Sequence, residues 1–203
     1  MHTVGSASPW LFRYDYSRLI DFCLWVLEKD GLQVSPFDAH LPGDNSLRQA
    51  GLQASEWLEW LKEVVNLHEQ QRQVVLQKHM LGGQGSLPSE ILMASDPPSI
   101  WRGNAQVKQH LQELWTQYQP VSSTRRKWLR ALTTQIRSAG QQLWHDLQLY
   151  QTRLPALMVY FVEYPQQVLL PIPPISIIMT VVNGSMSGED FRRQILQTVK
   201  NGL

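Results

Sequence analysis

A single cysteine, Cys23, is all that this 203-residue sequence contains, so no disulfide can form within the chain. A chain of this length needs none, because it can bury about 70% of the surface it exposes when unfolded. Cys23 sits in the apolar run 19–27. It reads as a small buried hydrophobe rather than a nucleophile, and its isolation fits a reducing, cytoplasmic setting.

Charge is the second scarcity. Asp, Glu, Lys and Arg make up 17% of the residues, against about 25% in an ordinary soluble domain. The formal net charge of +1 argues for neither nucleic acid nor an acidic partner. Glutamine fills the vacated places, with 22 copies. It is a good helix former that adds no charge. That composition suits either a plain helical surface written in glutamine or a surface left neutral because something docks on it.

Long apolar runs are missing too. The most apolar stretch, 154–182, is interrupted by Glu163, Gln166, Gln167 and prolines 165, 171, 173 and 174. A membrane span needs about 20 apolar residues in succession, so none is expected. The spacing of Pro171 and Pro174 reads as a stiff connector between strands. Residues 1–14 have neither a basic start nor a clean apolar core, so no secretory leader is expected.

Site motifs are equally sparse. Gly82-Gly83-Gln84-Gly85 lacks the Lys-Ser/Thr ending of a phosphate loop. In Gly184-Ser185-Met186-Ser187-Gly188, methionine occupies the place where a hydrolase elbow holds its serine. His68 and His79, eleven residues apart on one helix, lie about 16 Å apart along its axis, too far to share a metal ion. Asp38, His40 and Asp44 match no metal spacing and read as turn-forming residues. His110 with Glu113, and His145 with Gln148, read as solvated pairs. No catalytic, cofactor or metal residue is assigned, and no cofactor is expected.

Amphipathic helices are what the sequence does contain. A helix opening near Asp15 or Ser17 carries Leu19, Ile20, Phe22, Cys23, Val26 and Leu27, and Gly31 stops it. Residues 33–54 form a connection with turn chemistry, a turn of helix at 46–50, and Phe37 pinning it to the body. Residues 55–80 form a second long helix with Trp57, Trp60, Leu61 and Val64 on one side. Residues 96–99, Asp-Pro-Pro-Ser, read as extended. Asn104 caps a helix over 105–119 that buries Val107, Leu111, Leu114, Trp115 and Tyr118. Pro120 is expected to stop it, and 124–153 to return antiparallel as the second arm of a helical hairpin. The stretch 123–154 reads as one long helix, with Leu129, Ile136, Leu143 and Tyr150 seven apart and Leu132, Ala139 and Leu147 beside them.

The pattern changes after Pro155. Residues 157–164 and 176–182 are rich in β-branched and aromatic side chains and read as strands of one sheet, with a short strand at 167–170 between them. Asn183-Gly184 marks a turn. Ser187 caps a last helix carrying Phe191, Ile195, Leu196 and Val199. The expectation is a predominantly α, α+β protein. Its helical bundle covers 1–154, and 155–203 supplies a small sheet and terminal helix packed with it as one globular unit.

One charged feature stands out. Arg125, Arg126, Lys127, Arg130 and Arg137 lie in a stretch with no acid between Ser122 and Ser138. If a helix starts at 123, several sit in its first turn, where the helix dipole disfavours positive charge. They are the candidate anion- or partner-binding residues; the plain alternative is a solvated helix start or pairing with acids elsewhere. The functional expectation is a non-enzymatic interaction or adaptor protein that binds another protein through a charge-poor, Gln- and Trp-rich helical surface. The alternatives are a nucleic-acid-binding regulator using the basic stretch, or an enzyme whose site assembles from distant residues.

Overall fold

The structure, a computed structural model, describes residues 11–37, 41–80, 96–148, 156–173, 176–182 and 185–201. The protein is α+β and predominantly helical, with a four-stranded sheet and a terminal helix. Arg18–Ser122 forms one compact unit; the described residues up to Ser17 and from Ser123 onward form the other.

The helical unit is built around α1 (Arg18–Asp30), whose residues Ile20, Phe22, Cys23, Leu24, Val26 and Leu27 are fully buried. A helix apolar on nearly all sides has to be central. Gly31 ends it at φ +71°, a conformation glycine adopts without the clash a Cβ would bring. The thiol of Cys23 donates to the Leu19 carbonyl at 3.3 Å, and burial pushes its pKa well up, as suits an inert core residue. A short helix, α2 (Ser46–Gln49), interrupts the connection where a turn of helix was expected, and Phe37 is fully buried. α3 (Ala54–Met80) follows. Residues 81–95, including Gly82–Gly85, lie outside the described residues, as do Asp38 and His40.

Two expectations fail in this part of the chain. Residues 96–99 are not extended throughout. Asp96 is extended, but Pro97–Ile100 closes into a 3₁₀ turn whose Ser99 amide donates to the Asp96 carboxylate at 2.8 Å. Proline's fixed φ suits the first positions of a helical turn, where its missing amide costs nothing, and the turn forms at Pro97 although Pro98 follows it.

The second failure is larger, because the hairpin is absent. α4 (Ala105–Gln135) runs unbroken through Pro120. Proline inside a helix removes one hydrogen bond and crowds the carbonyl four residues back, a cost of about 3 kcal/mol. Side chains satisfy neighbouring carbonyls: Gln119 Nε2 donates to Trp115 O at 3.2 Å, and Ser122 Oγ to Gln119 O at 2.8 Å. Val107, Leu111 and Tyr118 before the proline and Leu132 after it are buried. Each contributes about 1.5–3 kcal/mol, enough to hold the helix through the defect. Over its described residues, the long helix expected at 123–154 is therefore the end of α4 followed by α5 (Arg137–Leu147), separated by a break at Ile136 (φ −88°, ψ 5°); 149–154, with Tyr150, and the side chain of Leu129 lie outside the described residues. The stripe survives the break, since Leu132, Ile136, Ala139, Leu143 and Leu147 share one buried cluster.

The sheet unit holds β1 (Leu11–Tyr16), β2 (Ala156–Glu163), β3 (Leu169–Ile172) and β4 (Ser176–Val181). Their order is β1-β2-β4-β3. β1 and β4 run parallel to β2, and β3 is antiparallel to β4. Strands 157–164 and 176–182 are thus observed within a residue or two in one sheet. β1 was not foreseen, so the sheet is not confined to residues beyond 154. One face of β2 (Leu157, Val159, Phe161) joins Phe12, Ile177, Met179 and Val181 in the cluster with α5 and the final helix, α6 (Gly188–Lys200). Met158, Tyr160 and Val162 on the other face are equally buried, as both-sided hydrophobicity requires. Ser187 caps α6, accepting the Asp190 amide at 3.0 Å. Residues 183–184, the expected turn, lie outside the described residues.

Candidate functional site

The five basic residues of the sequence do not form one patch. Because α4 continues through Pro120, Arg125, Arg126, Lys127 and Arg130 lie well inside a helix, so the dipole argument for a strained first turn no longer applies. Arg125 is buried. Its guanidinium donates to the Glu163 carbonyl at 3.4 Å and lies 3.5 Å from that residue's carboxylate. The arginine thus ties α4 to the end of β2. Arg126 and Lys127 are exposed. The side chains of Trp128 and Arg130 lie outside the described residues. Arg137 is exposed at the start of α5. Burial raises the pKa of the half-buried Tyr14 phenol, and the Arg137 charge works against that rise.

This arrangement makes one prediction. Arg125→Gln should destabilise the protein by about 1–2 kcal/mol. A fully buried pair would cost more, but the Glu163 side chain is about one third exposed and water recovers part of the loss. Arg126→Gln and Lys127→Gln should each stay within about 0.5 kcal/mol of the parent. Urea denaturation of the three variants checks this ranking.

The glutamines, by contrast, converge. A groove of about 370 Å³ in the helical unit is lined by Ser46, Gln49 and Ala50 of the α2 segment and by Gln106, Gln109 and His110 of α4. No Asp, Glu, Lys or Arg contributes to its lining. Asn104 holds the two walls together. Its Nδ2 donates to the Ala50 carbonyl at 3.1 Å, and its Oδ1 caps α4 by accepting the Gln106 amide at 2.8 Å. Trp101 in turn holds Asn104 in place, donating to its carbonyl at 3.1 Å. Gln109 is steered by Glu113, one turn on, to which its Nε2 donates at 3.2 Å. His110 Nδ1 lies 3.4 Å from the same carboxylate.

A second cleft, of about 240 Å³, is lined by Glu56, Glu59, Glu63 and Arg102 over Trp60 and Trp101. Glu56 there has a structural duty: its carboxylate accepts the Gln53 amide at 2.9 Å at the start of α3, the return half of a capping arrangement. Trp60 and Trp101 are buried and hydrogen-bonded through their indole nitrogens to Pro97 O and Asn104 O.

Two polar groups important to the fold were missed in the sequence. Asp21 is fully buried in the most apolar helix and accepts from the Tyr118 hydroxyl at 2.5 Å. Its signal was there to read, since an acid inside an apolar run must find a partner. Asp30, at the end of α1, is also buried and accepts the Leu47 amide at 2.6 Å. Among the described residues, no group of three or more His, Cys, Asp and Glu side chains stands ready to hold a metal ion. No helix among them is long and apolar enough to cross a membrane. The architecture therefore defines the class, an α+β protein whose helical unit carries an amide-lined groove. Beyond the class, no family model, no curated protein and no solved structure matches the chain.

Proposed function

We propose that this chain is a non-enzymatic protein-interaction or adaptor protein, and that the groove between α2 and α4 is where a partner polypeptide docks. The observation that carries the reading is the groove's chemistry. Each glutamine side chain offers both donors and an acceptor, the complement of an extended peptide backbone. None of the lining glutamines brings a charge that docking would have to desolvate, and charged residues are depleted where interfaces are most buried. The solvent side of α4 beyond the groove exposes Gln112, Thr116 and Gln117 around one charge, Glu113, which is engaged with Gln109 and His110. Such a partner binds by hydrogen bonds and shape, so its affinity should depend only weakly on salt.

Nucleic-acid binding through the basic stretch is less supported, because Arg125 is engaged with Glu163. A photo-crosslinking amino acid placed in turn at Gln49, Gln106, Arg126 and Lys127, in cells, tests both readings. Protein crosslinks from Gln49 and Gln106, abolished by Gln109→Arg, are expected. Nuclease-sensitive products from Arg126 and Lys127, with none from the groove positions, would replace the docking reading with the nucleic-acid one. In that case binding would also weaken steeply with salt.

A further inference from the structure

Asp30 is 1% exposed, yet only one of its carboxyl oxygens is engaged. Oδ1 accepts the Leu47 amide at 2.6 Å. Oδ2 is buried and has no hydrogen-bond partner among the described residues. The carboxyl lies at the C-terminal end of α1, where the helix dipole already disfavours negative charge. Among the described residues, the charged groups facing it oppose one another, Asp44 from the connection and Arg48 from α2. Lys29 beside it instead lies over the Trp25 ring, 5.5 Å from its centroid. Burial, the largest influence, lifts the Asp30 pKa above the ordinary carboxylate value; the Leu47 and Arg48 amides only partly offset it.

The same carboxyl sits at the centre of a clip. The Asp44 amide donates to Lys29 O and the Asn45 amide to Asp30 O, both at 3.1 Å. The Ser46 amide donates to the Asp44 carboxylate at 2.9 Å. Leu47 itself is fully buried. These bonds seat α2 on the end of α1, and α2 supplies Ser46 and Gln49 to the groove.

We propose that Asp30 is a proton-operated latch on α2: protonated, it keeps this wall of the groove seated, and ionised, it lets the wall open more readily. The direction follows from linkage. A carboxyl that holds its proton more tightly in the closed state than in the open one stabilises closure fully below the ordinary carboxylate pKa. That stabilisation is lost as pH rises through the raised, closed-state value. Closure weakens tenfold for each pH unit separating the two values. The consequence for partner docking rests on the function proposed above; the latch itself does not.

Labelled full-length protein provides the test, with two readouts followed between about pH 3 and about pH 8 to span the carboxylate range. The first is the Asp30 carboxyl carbon shift. The second is amide exchange at Asn45 and Leu47, corrected for intrinsic base catalysis. The expected result is an Asp30 midpoint above the ordinary 3.8. Protection of Leu47 should fall across that interval by tenfold per unit of displacement and then level off. Asp30→Asn keeps an acceptor for Leu47 and cannot ionise, so it should lack the step. Asp44→Asn removes a like charge and should move the step to lower pH. An Asp30 midpoint at or below 3.8 overturns the proposal, as does Leu47 protection with the same pH dependence in the parent and in Asp30→Asn. If that variant does not fold, the carboxyl titration of the parent still decides. A partnerless groove would show instead as missing crosslinks at Gln49 and Gln106, leaving these titrations unchanged.

Discussion

Phe22→Ala is expected to lower the unfolding free energy by about 3–5 kcal/mol, the range for deleting a buried aromatic ring from a core that cannot collapse around the void. Phe22 is fully buried in α1. Its ring centroid lies 4.8 Å from that of Trp115, 5.4 Å from Tyr118, 6.1 Å from Trp60 and 6.2 Å from Trp25. These partners come from α1, α3 and α4, so one truncation loosens three helices at once. Collapse is hindered because the surrounding groups are anchored by hydrogen bonds, Trp60 to Pro97 O and Tyr118 to Asp21. Urea unfolding followed by tryptophan fluorescence reads the loss directly. Phe22→Leu should recover more than half of it, because most of the volume returns. A loss below about 1 kcal/mol would contradict a close-packed site, where deletions of this size cost several times more.

Gly43→Ala is expected to cost about 3 kcal/mol, at the top of the usual range for overpacking. A Cβ at residue 43 would stand 2.0 Å from the Asp30 carbonyl carbon and 2.1 Å from both its oxygen and the Gly31 nitrogen. Backbone atoms at the end of α1 cannot rotate away as a side-chain tip can, so the clip must separate from the helix. The damage should be local before it is global. Amides of Asn45 and Leu47 should lose protection together, while Phe22 and its neighbours stay packed. Hydrogen exchange on the variant distinguishes the two, and unchanged exchange at both amides would refute the predicted collision.

Much of the fold was legible in local patterns. The Asn104 and Ser187 caps, the Gly31 stop and the buried stripe over Leu132, Ile136, Ala139, Leu143 and Leu147 each depend on residues within a turn or two. The strands at 157–164 and 176–182 were readable because apolar, β-branched residues on both faces are what an interior strand needs. β1 was harder. Its alternation of Phe12, Tyr14 and Tyr16 is only six residues long, and its partner β2 lies more than a hundred residues along the chain. Pro120 misled because the rule for proline weighs one lost bond, whereas the helix is held by apolar residues buried on either side of it.

For the candidate sites the division is sharper. Composition pointed to a surface poor in charge and rich in glutamine, and the apolar run 19–27 to a central helix; of the tryptophans expected to share that surface, Trp25, Trp57, Trp60 and Trp101 are core residues. Composition could not determine which glutamines would meet. Gln49 and Gln106 are distant in sequence and line one groove where the fold brings Asn104 to bond Ala50 beside them. Nor could it show that Arg125, alone of the basic stretch known from described side chains to do so, turns inward to Glu163. A helix position sets the direction of a side chain, but only the packed structure decides whether that direction meets water or a carboxylate. Asp30 follows the same logic. As sequence it is an acid near a helix end; buried against α2 with one oxygen unpartnered, it becomes a group whose proton matters, because desolvation is a property of the surroundings and not of the residue.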